Sequence, residues 1–395
     1  MAGITGMGTT YNLPNYTGIL FQLTPADTPL LSSIGGLSGG GQTTSKEFEW
    51  ETFDLRGAAQ RTKLEGQAAP TAEERVRGNV TNITQIHQEK VSVSYTKLAA
   101  IGEKAGINNA AQNPITNELD WQVAQMLKQM ALDVNYSLLN GVYQRPTDNT
   151  TARQTRGLRK AITTNRIAKG TTIGTGAAVS ASADTVTIAS HGLSNGDKVY
   201  LLNNTAGGLS NDTTYYVVNS ASGTFKLATT SGGTAIDVTA DGTADVIKMQ
   251  TAALTTDMVS DLLQSAYDNG GISEQATATL LVNSAQKRAV TKAFSSAYNQ
   301  FTETSRTVGG VNVTTLITDF GTLNVMLERQ MPQHEILVAS LEQLMPVFLE
   351  VPAKGHFFAE PLAKTGASDE VQLYGEVGLA YGNEKSHAVM TGLAV

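Results

Sequence analysis

The chain has no cysteine, which excludes disulfides, thiolate zinc sites, iron–sulfur clusters and cysteine nucleophiles together. Charge is scarce too: Asp, Glu, Lys and Arg make up 16% of its 395 residues, against about 25% in ordinary soluble proteins. At 41% apolar, the chain can fill cores but has little charge with which to coat a large free surface. That balance favours a subunit whose surfaces are covered by other subunits. The formal net charge is −7, whereas a dedicated nucleic-acid binder would normally be basic. No run approaches the roughly 18 apolar residues of a membrane span. The first basic residue is Lys46, so no basic n-region of a secretory signal is present. These absences lead us to expect a soluble protein with no membrane contact.

Catalytic patterns are missing as well. His87, His191, His334, His356 and His387 fall in separate segments without metal-ligand spacing, and neither an HExxH helix nor an Asp-rich calcium loop occurs. No G-x-S-x-G elbow appears. The glycine run Gly35–Gly41 lacks the GK[ST] ending of a phosphate-cradling loop and reads as a flexible hinge. No enzymatic activity, cofactor or metal is expected.

At roughly 150 residues per domain, the length predicts two or three domains. Residues 1–45 form an arm with one charged residue, Asp27, and with scattered apolar residues from Leu13 to Ile34; a short helical piece is expected near Asp27–Ile34. From Lys46 the pattern alternates. Phe48, Trp50 and Thr52 face one way and Glu47, Glu49 and Glu51 the other, the period-2 signature of a half-buried strand. Val91, Val93 and Tyr95 alternate likewise, and between the two strands lies a polar stretch with Arg56, Arg61, Lys63, Glu65, Glu73, Glu74, Arg75 and Arg77. Two arms around a charged tip predict an extended hairpin over residues 46–95, and a loop of that length is usually functional or mobile.

Leu119, Val123, Met126, Met130, Val134 and Leu138 recur at three- and four-residue steps and predict a helix over 116–141, with Asn117 as N-cap and Gly141 as stop. The next stretch is basic and includes Arg145, Arg153, Arg156, Arg159, Lys160, Arg166 and Lys169. It could face nucleic-acid phosphates, or form a solvated loop or a face meeting an acidic neighbour, and the acidic net charge favours the latter two. Residues 172–247 turn rich in Ser, Thr, Gly and Ala, with short strands at 185–189, 198–202, 214–218 and 224–228 separated by turns such as Asn195-Gly196. This is a small all-β module inside an α+β host, since helices (256–269, 284–298) and strands (279–282, 311–317, 335–338) follow it.

Three segments resemble the major capsid proteins of tailed phages with the Hong Kong 97-type fold. MAGITGMGTTYNLPNYTGILFQLTPADTPLLSSIGGLSGG and FEWETFDLRGAAQRTKLEGQAAP are similar to the N-terminal parts of an actinobacteriophage-type subfamily. GHFFAEPLAKTGASDEVQLYGEVGLAYGNEKSHAVMTG is similar to its C-terminal strands. HGLSNGDKVYLLNN and TYYVVNSASGTFKLATT resemble a β module of phage structural proteins. The resemblance implies an N-terminal arm (1–45), an extended loop (46–95) and a peripheral domain (96–171) with its spine helix. It further implies an inserted β domain (172–247) projecting outward, an axial domain (248–354) and a return to the peripheral domain (355–395).

By this resemblance the chain is a major capsid protein that self-assembles, as hexamers and pentamers, into an icosahedral shell enclosing double-stranded DNA. Its expected location is the virion capsid, built in the bacterial host cytoplasm, with a portal and scaffold or decoration proteins as partners. The loop residues Trp50, Arg56, Arg61, Lys63, Glu65, Glu73, Glu74, Arg75 and Arg77 would meet a neighbouring subunit. Arg153, Arg156, Arg159 and Lys160 would face DNA or an acidic neighbour. Some relatives lock their shells with a Lys–Asn isopeptide bond; Lys46 and Lys63 lie in the loop, but no partner Asn or catalytic Glu is marked. An encapsulin compartment shares the fold, although the β insertion and phage-type N-terminus weigh against it. A fibre or adhesin would predict repeated β modules, where a single island is present.

Overall fold

The computed structural model describes residues 22–99, 117–272, 278–298, 304–308, 311–363 and 366–395. The apolar arm residues Leu13, Tyr16, Ile19, Leu20 and Phe21 lie outside this set.

The long helix spans Glu118–Asn140, and the Asn117 side chain accepts from the backbone N–H groups of Leu119 and Asp120. Gly141 ends it for a reason of space. A Cβ there would sit 2.4 Å from the Ser137 carbonyl oxygen and 2.5 Å from that of Thr155, and its φ is an ordinary −50°. Burial changes along the helix. Met130, Val134, Leu138 and Leu139 are sealed, Val123 and Met126 are half-covered, and Leu127 is 41% exposed.

A seven-stranded sheet runs in the order Thr304–Val308, Val311–Thr318, Gly321–Leu327, Ala278–Val282, Glu335–Ser340, Ala388–Thr391, Arg166–Ala168. Alternate residues of its strands point to opposite faces. Leu280, Val282, Ile336 and Val338 pack with helices Thr256–Asp268 and Ser284–Tyr298. Leu281, Leu337 and Ala339 pack instead with Leu138, Leu139 and Phe348, so the sheet has a core on each face.

The second sheet has five strands. The long strand Ser368–Ala380 pairs with Gln85–Ser94, Phe357–Pro361 and Met345–Leu349, and the last of these also pairs in parallel with Gly41–Thr43. Two expectations are corrected by this pairing. Val91 and Val93 belong to this sheet, and the partner of the Glu47–Phe53 strand is Arg77–Ile83, with Trp50 opposite Val80. The loop of the hairpin is therefore 54–76. Gly78, Asn79 and Asn82 break the apolar alternation of the returning strand, which hid it in the sequence. The C-terminal segment is also shared: Phe357–Pro361 and Ser368–Ala380 lie in the five-stranded sheet, but Ala388–Thr391 lies in the seven-stranded one.

Helix Pro29–Ser33 is the expected short helical piece, with Leu30 and Leu31 buried. The Leu31 N–H donates to Asn135 Oδ1 at 2.9 Å. The glycine run is a packed turn rather than a hinge. Gly39 N–H bonds the Gly35 carbonyl at 2.9 Å, and a Cβ on Gly40 (φ +133°) would lie 2.3 Å from the Pro346 oxygen.

Residues 171–248 form a closed six-stranded barrel: Thr224–Ala228, Thr185–Thr187, Thr171–Ser180, Gly242–Lys248, Lys198–Leu202, Thr214–Val218. Val199, Leu201, Val217, Phe225, Leu227 and Val246 fill it. Its first and last strands, rich in Thr, Gly and Ala, carry too little β-branched apolar pattern to stand out in sequence.

Leu138 is fully buried, so Leu138→Ala is expected to destabilise the chain by about 2–5 kcal/mol. Leu127→Ala, on the half-covered stretch, is expected to stay within about 1 kcal/mol. Urea unfolding of the two variants checks the contrast.

Candidate intersubunit surfaces

The hairpin is anchored at its base. The Trp50 indole N–H donates to the Gly382 carbonyl at 2.8 Å, and its ring meets Tyr381 edge-on at 4.8 Å. Phe48 lies against Gly378, where a Cβ would come within 2.6 Å of the ring. Trp50, expected at a subunit contact, is half-buried and anchored within its own chain by this hydrogen bond. Cross-strand contacts extend outward, with Arg77 on Glu51 at 2.6 Å and Asn79 on Glu49 at 3.3 Å.

Beyond the strands, residues 54–76 have no helix or strand and are exposed throughout. Arg56, Arg61 and Arg75 converge on the single carboxylate of Glu73 at 3.0, 3.3 and 3.2 Å. Each such exposed pair contributes only ~0–1 kcal/mol. Lys63, Glu65 and Glu74 make no ion pair among the described residues. Phe53, Leu55, Leu64 and Val76 are 67–84% exposed. A strip mixing bare apolar side chains with an arginine cluster has no core of its own and suits a partner surface.

The basic stretch is different, because most of its charges are matched within the chain. Arg145 pairs with Glu47 at 2.6 Å and Arg153 pairs with Glu376. Arg156 lies over the Tyr143 ring at 4.4 Å and donates to the Tyr381 hydroxyl at 3.1 Å. Lys160 reaches Asp212 at 3.5 Å. Arg159 corrects the sequence expectation most sharply, since it is 1% exposed and faces neither DNA nor a neighbour. Its Nε donates to Glu335 at 2.7 Å, Nη1 to Asn140 at 2.6 Å, and Nη2 lies 3.2 Å from Asp212.

Burial alone would push the Glu335 and Asp212 carboxyls up, but Arg159 outweighs it and holds both below the usual carboxylate range. Asp212, His334 and Glu335 bring possible ligand atoms within 4.8 Å of one another. The guanidinium between the two carboxylates already supplies the cation they require, so this cluster reads as an ion-pair node. His334 is fully buried with its ring stacked on Tyr200 at 3.9 Å, and burial pushes it down to about 4. Glu335, Asp212 and His334 were not singled out from the sequence. Two adjacent polar residues, His334-Glu335, at the start of the buried strand Glu335–Ser340 were the available signal.

The SU10 major capsid protein family model matches residues 3–394. The chain belongs to this family. The capsid protein's fold is the Hong Kong 97-like fold, and it resembles solved phage capsids. The capsid asymmetric unit of cyanophage A-1(L) matches at 12% identity and TM-score 0.54, covering 98% of each chain. The capsid of cyanophage P-SCSP1u matches at 10% identity and TM-score 0.50, covering 98% of this chain and 95% of that one. No curated protein matches. The protein is a shell-forming subunit of a virion capsid, acting through copies of itself.

Trp50→Ala should cost this capsid protein about 1–3 kcal/mol, and Trp50→Phe, which loses the N–H but keeps a ring, markedly less; chemical denaturation measures both. Acid should also weaken the fold. His334, His87 and His387 are held neutral chiefly by burial, with pKa values below the ordinary 6.5. The unfolded chain therefore takes up protons first as pH falls below 6.5, and stability declines from there toward about 4, where His334 itself titrates. The His334 contribution is on the order of 3 kcal/mol. A melting series from pH 7 to 4 measures the decline, and His334→Gln should flatten part of it.

Proposed function

We propose that the capsid protein closes, as hexamers and pentamers, into an icosahedral shell around double-stranded DNA, and that residues 54–76 of each subunit lie on a neighbour. The observation carrying this reading is that the tip exposes Leu55, Leu64 and Val76 without a core of its own. The chain also carries an uncovered apolar groove of about 130 Å³ between Val123, Leu127 and Met130 of the long helix and Phe357, Phe358 and Leu373 of the adjacent strands. A tip from a second copy is the occupant we assign to it. Arg56, Arg61 and Arg75, which outnumber the one carboxylate they share, would meet acidic side chains there, with Lys63, Glu65 and Glu74 beside them. Overlap of this kind, repeated by symmetry, adds area toward the roughly 2,000–5,000 Å² of obligate interfaces.

In this reading the N-terminal arm, the extended loop, the peripheral and axial domains and the inserted barrel divide the work of one lattice. The barrel stands on the outer face. In support, none of the exposed large apolar side chains lies within residues 171–249, so that module offers little for a subunit contact. DNA would be retained non-specifically by enclosure, since most of the basic stretch is matched within the chain; Arg153, Arg156 and Lys160 keep partial exposure. Assembly would occur in the host cytoplasm, with a portal and scaffold or decoration proteins as partners. The action is physical assembly, for which no catalytic residue is assigned. Among the described residues no helix is long and apolar enough to cross a membrane.

The test is negative-stain imaging and sedimentation of the full chain beside a variant in which residues 55–75 are replaced by Asn-Gly. Closed shells for the former and folded, unassembled subunits for the latter are expected. Shells in equal yield from both would show that the loop does not join subunits.

A further inference from the structure

Arg159 lies where four parts of the chain meet. It sits on the short helix Leu158–Ala161 and holds Asn140, the last residue of the long helix. It also holds Glu335, the first residue of a strand of the seven-stranded sheet. Its third contact, Asp212, comes from the barrel. Asp212 is presented by a built loop: its N–H bonds the Leu201 carbonyl at 2.9 Å. Asn211 Oδ1 accepts from the Asn204 N–H at 2.7 Å, and Tyr215 Oη accepts from the Ser210 N–H at 2.8 Å.

The barrel touches the host at further points beside this node. Tyr200 stacks on His334. Tyr200, Ile247 and Met249 form a small apolar cluster with Leu202 and Val395, and Lys198 donates to the Val395 carbonyl. The two connecting strands are stitched to the C-terminal strand, Lys169 N–H to Thr391 O at 2.8 Å and Gln250 N–H to Gly392 O at 2.9 Å. Gly392 (φ +77°) approaches so closely that a Cβ on it would stand 2.3 Å from Gly170 N.

We infer that the Arg159–Asp212 contact is an orientation clamp, which holds the barrel at one fixed angle to the host as a rigid bracket rather than a tethered appendage. Two adjacent linkers define a hinge, and beyond the Tyr200–His334 stack and the Lys198 hydrogen bond the small apolar seam is non-directional. The half-buried Arg159–Asp212 pair adds direction, because Arg159 Nη1 donates to Asp212 Oδ2 at 3.4 Å and the planar guanidinium restricts where the carboxylate can lie. The clamp is a property of each subunit. Its consequence, that every barrel on the shell presents its surface in the same attitude, rests on the proposed outward placement of the barrel.

The test is hydrogen exchange by mass spectrometry on the full chain, which reads the clamp whether or not shells form. Asp212→Ala leaves Arg159 paired with Glu335, so the host is expected to fold. Peptides spanning 249–254 and 388–395 should then exchange roughly tenfold faster or more, while the barrel-core strands 214–218 and 224–228 keep their protection. The double variant Arg159→Met, Glu335→Gln removes the cation together with the fully buried carboxylate, leaves Asp212 to Lys160, and should release the same seam peptides. Unchanged seam exchange in Asp212→Ala would overturn the clamp, with the seam and linkers sufficing. Acceleration of the barrel core together with the seam would overturn it as well, making Asp212 a residue of barrel folding.

Discussion

A guanidinium with 1% exposure must find its counter-charges within the protein, and the arrangement of this capsid protein follows that requirement at Arg159. Glu335 begins one sheet strand, Asn140 ends the long helix, and Asp212 tips a barrel loop. Arg159 and Glu335 cannot separate without leaving a buried charge uncompensated, and removing one partner of such a pair costs about 3–5 kcal/mol. The node therefore joins helix, sheet and insertion in one register. His334 sits beside it as a neutral ring stacked on the barrel's Tyr200, which places a histidine that must stay uncharged at the same junction.

The cores are complete in one subunit, and the surfaces are not. The two faces of the seven-stranded sheet and the barrel interior each carry their own sealed cluster. In contrast, the hairpin tip, the N-terminal half of the long helix and the groove beside Phe357 and Phe358 leave apolar side chains open. The low charge content belongs with this division, because a surface destined to be covered needs little charge for solubility. It is also why the arginine cluster on Glu73 contributes little to the lone subunit, where solvent screens it.

Much of the fold was legible where one periodicity held over many residues. The long helix and its cap, the helix Ser284–Tyr298, and the strands Lys198–Leu202, Thr214–Val218 and Thr224–Ala228 fall where their patterns place them. Strands poor in large apolar residues were hidden, as with Arg77–Ile83 and Thr171–Ser180. Pairing over long separations was hidden too. Nothing local says that Val91 faces Val371 or that Ala388–Thr391 joins a different sheet from Ser368–Ala380. The surface residues were half legible. Arg56, Arg61, Arg75 and Glu73 read as a mixed-charge tip and are one. Arg159 looked like a surface contact because the acceptor that buries it, Glu335, lies 176 residues away.

A reconstruction of assembled particles by electron cryo-microscopy, resolved well enough to trace residues 54–76, would show where each tip lies. Each tip is expected on an adjacent subunit, with Leu55 or Leu64 against the groove formed by Val123, Leu127 and Phe358. A tip folded back onto its own subunit, or standing free in solvent within a closed shell, would contradict it.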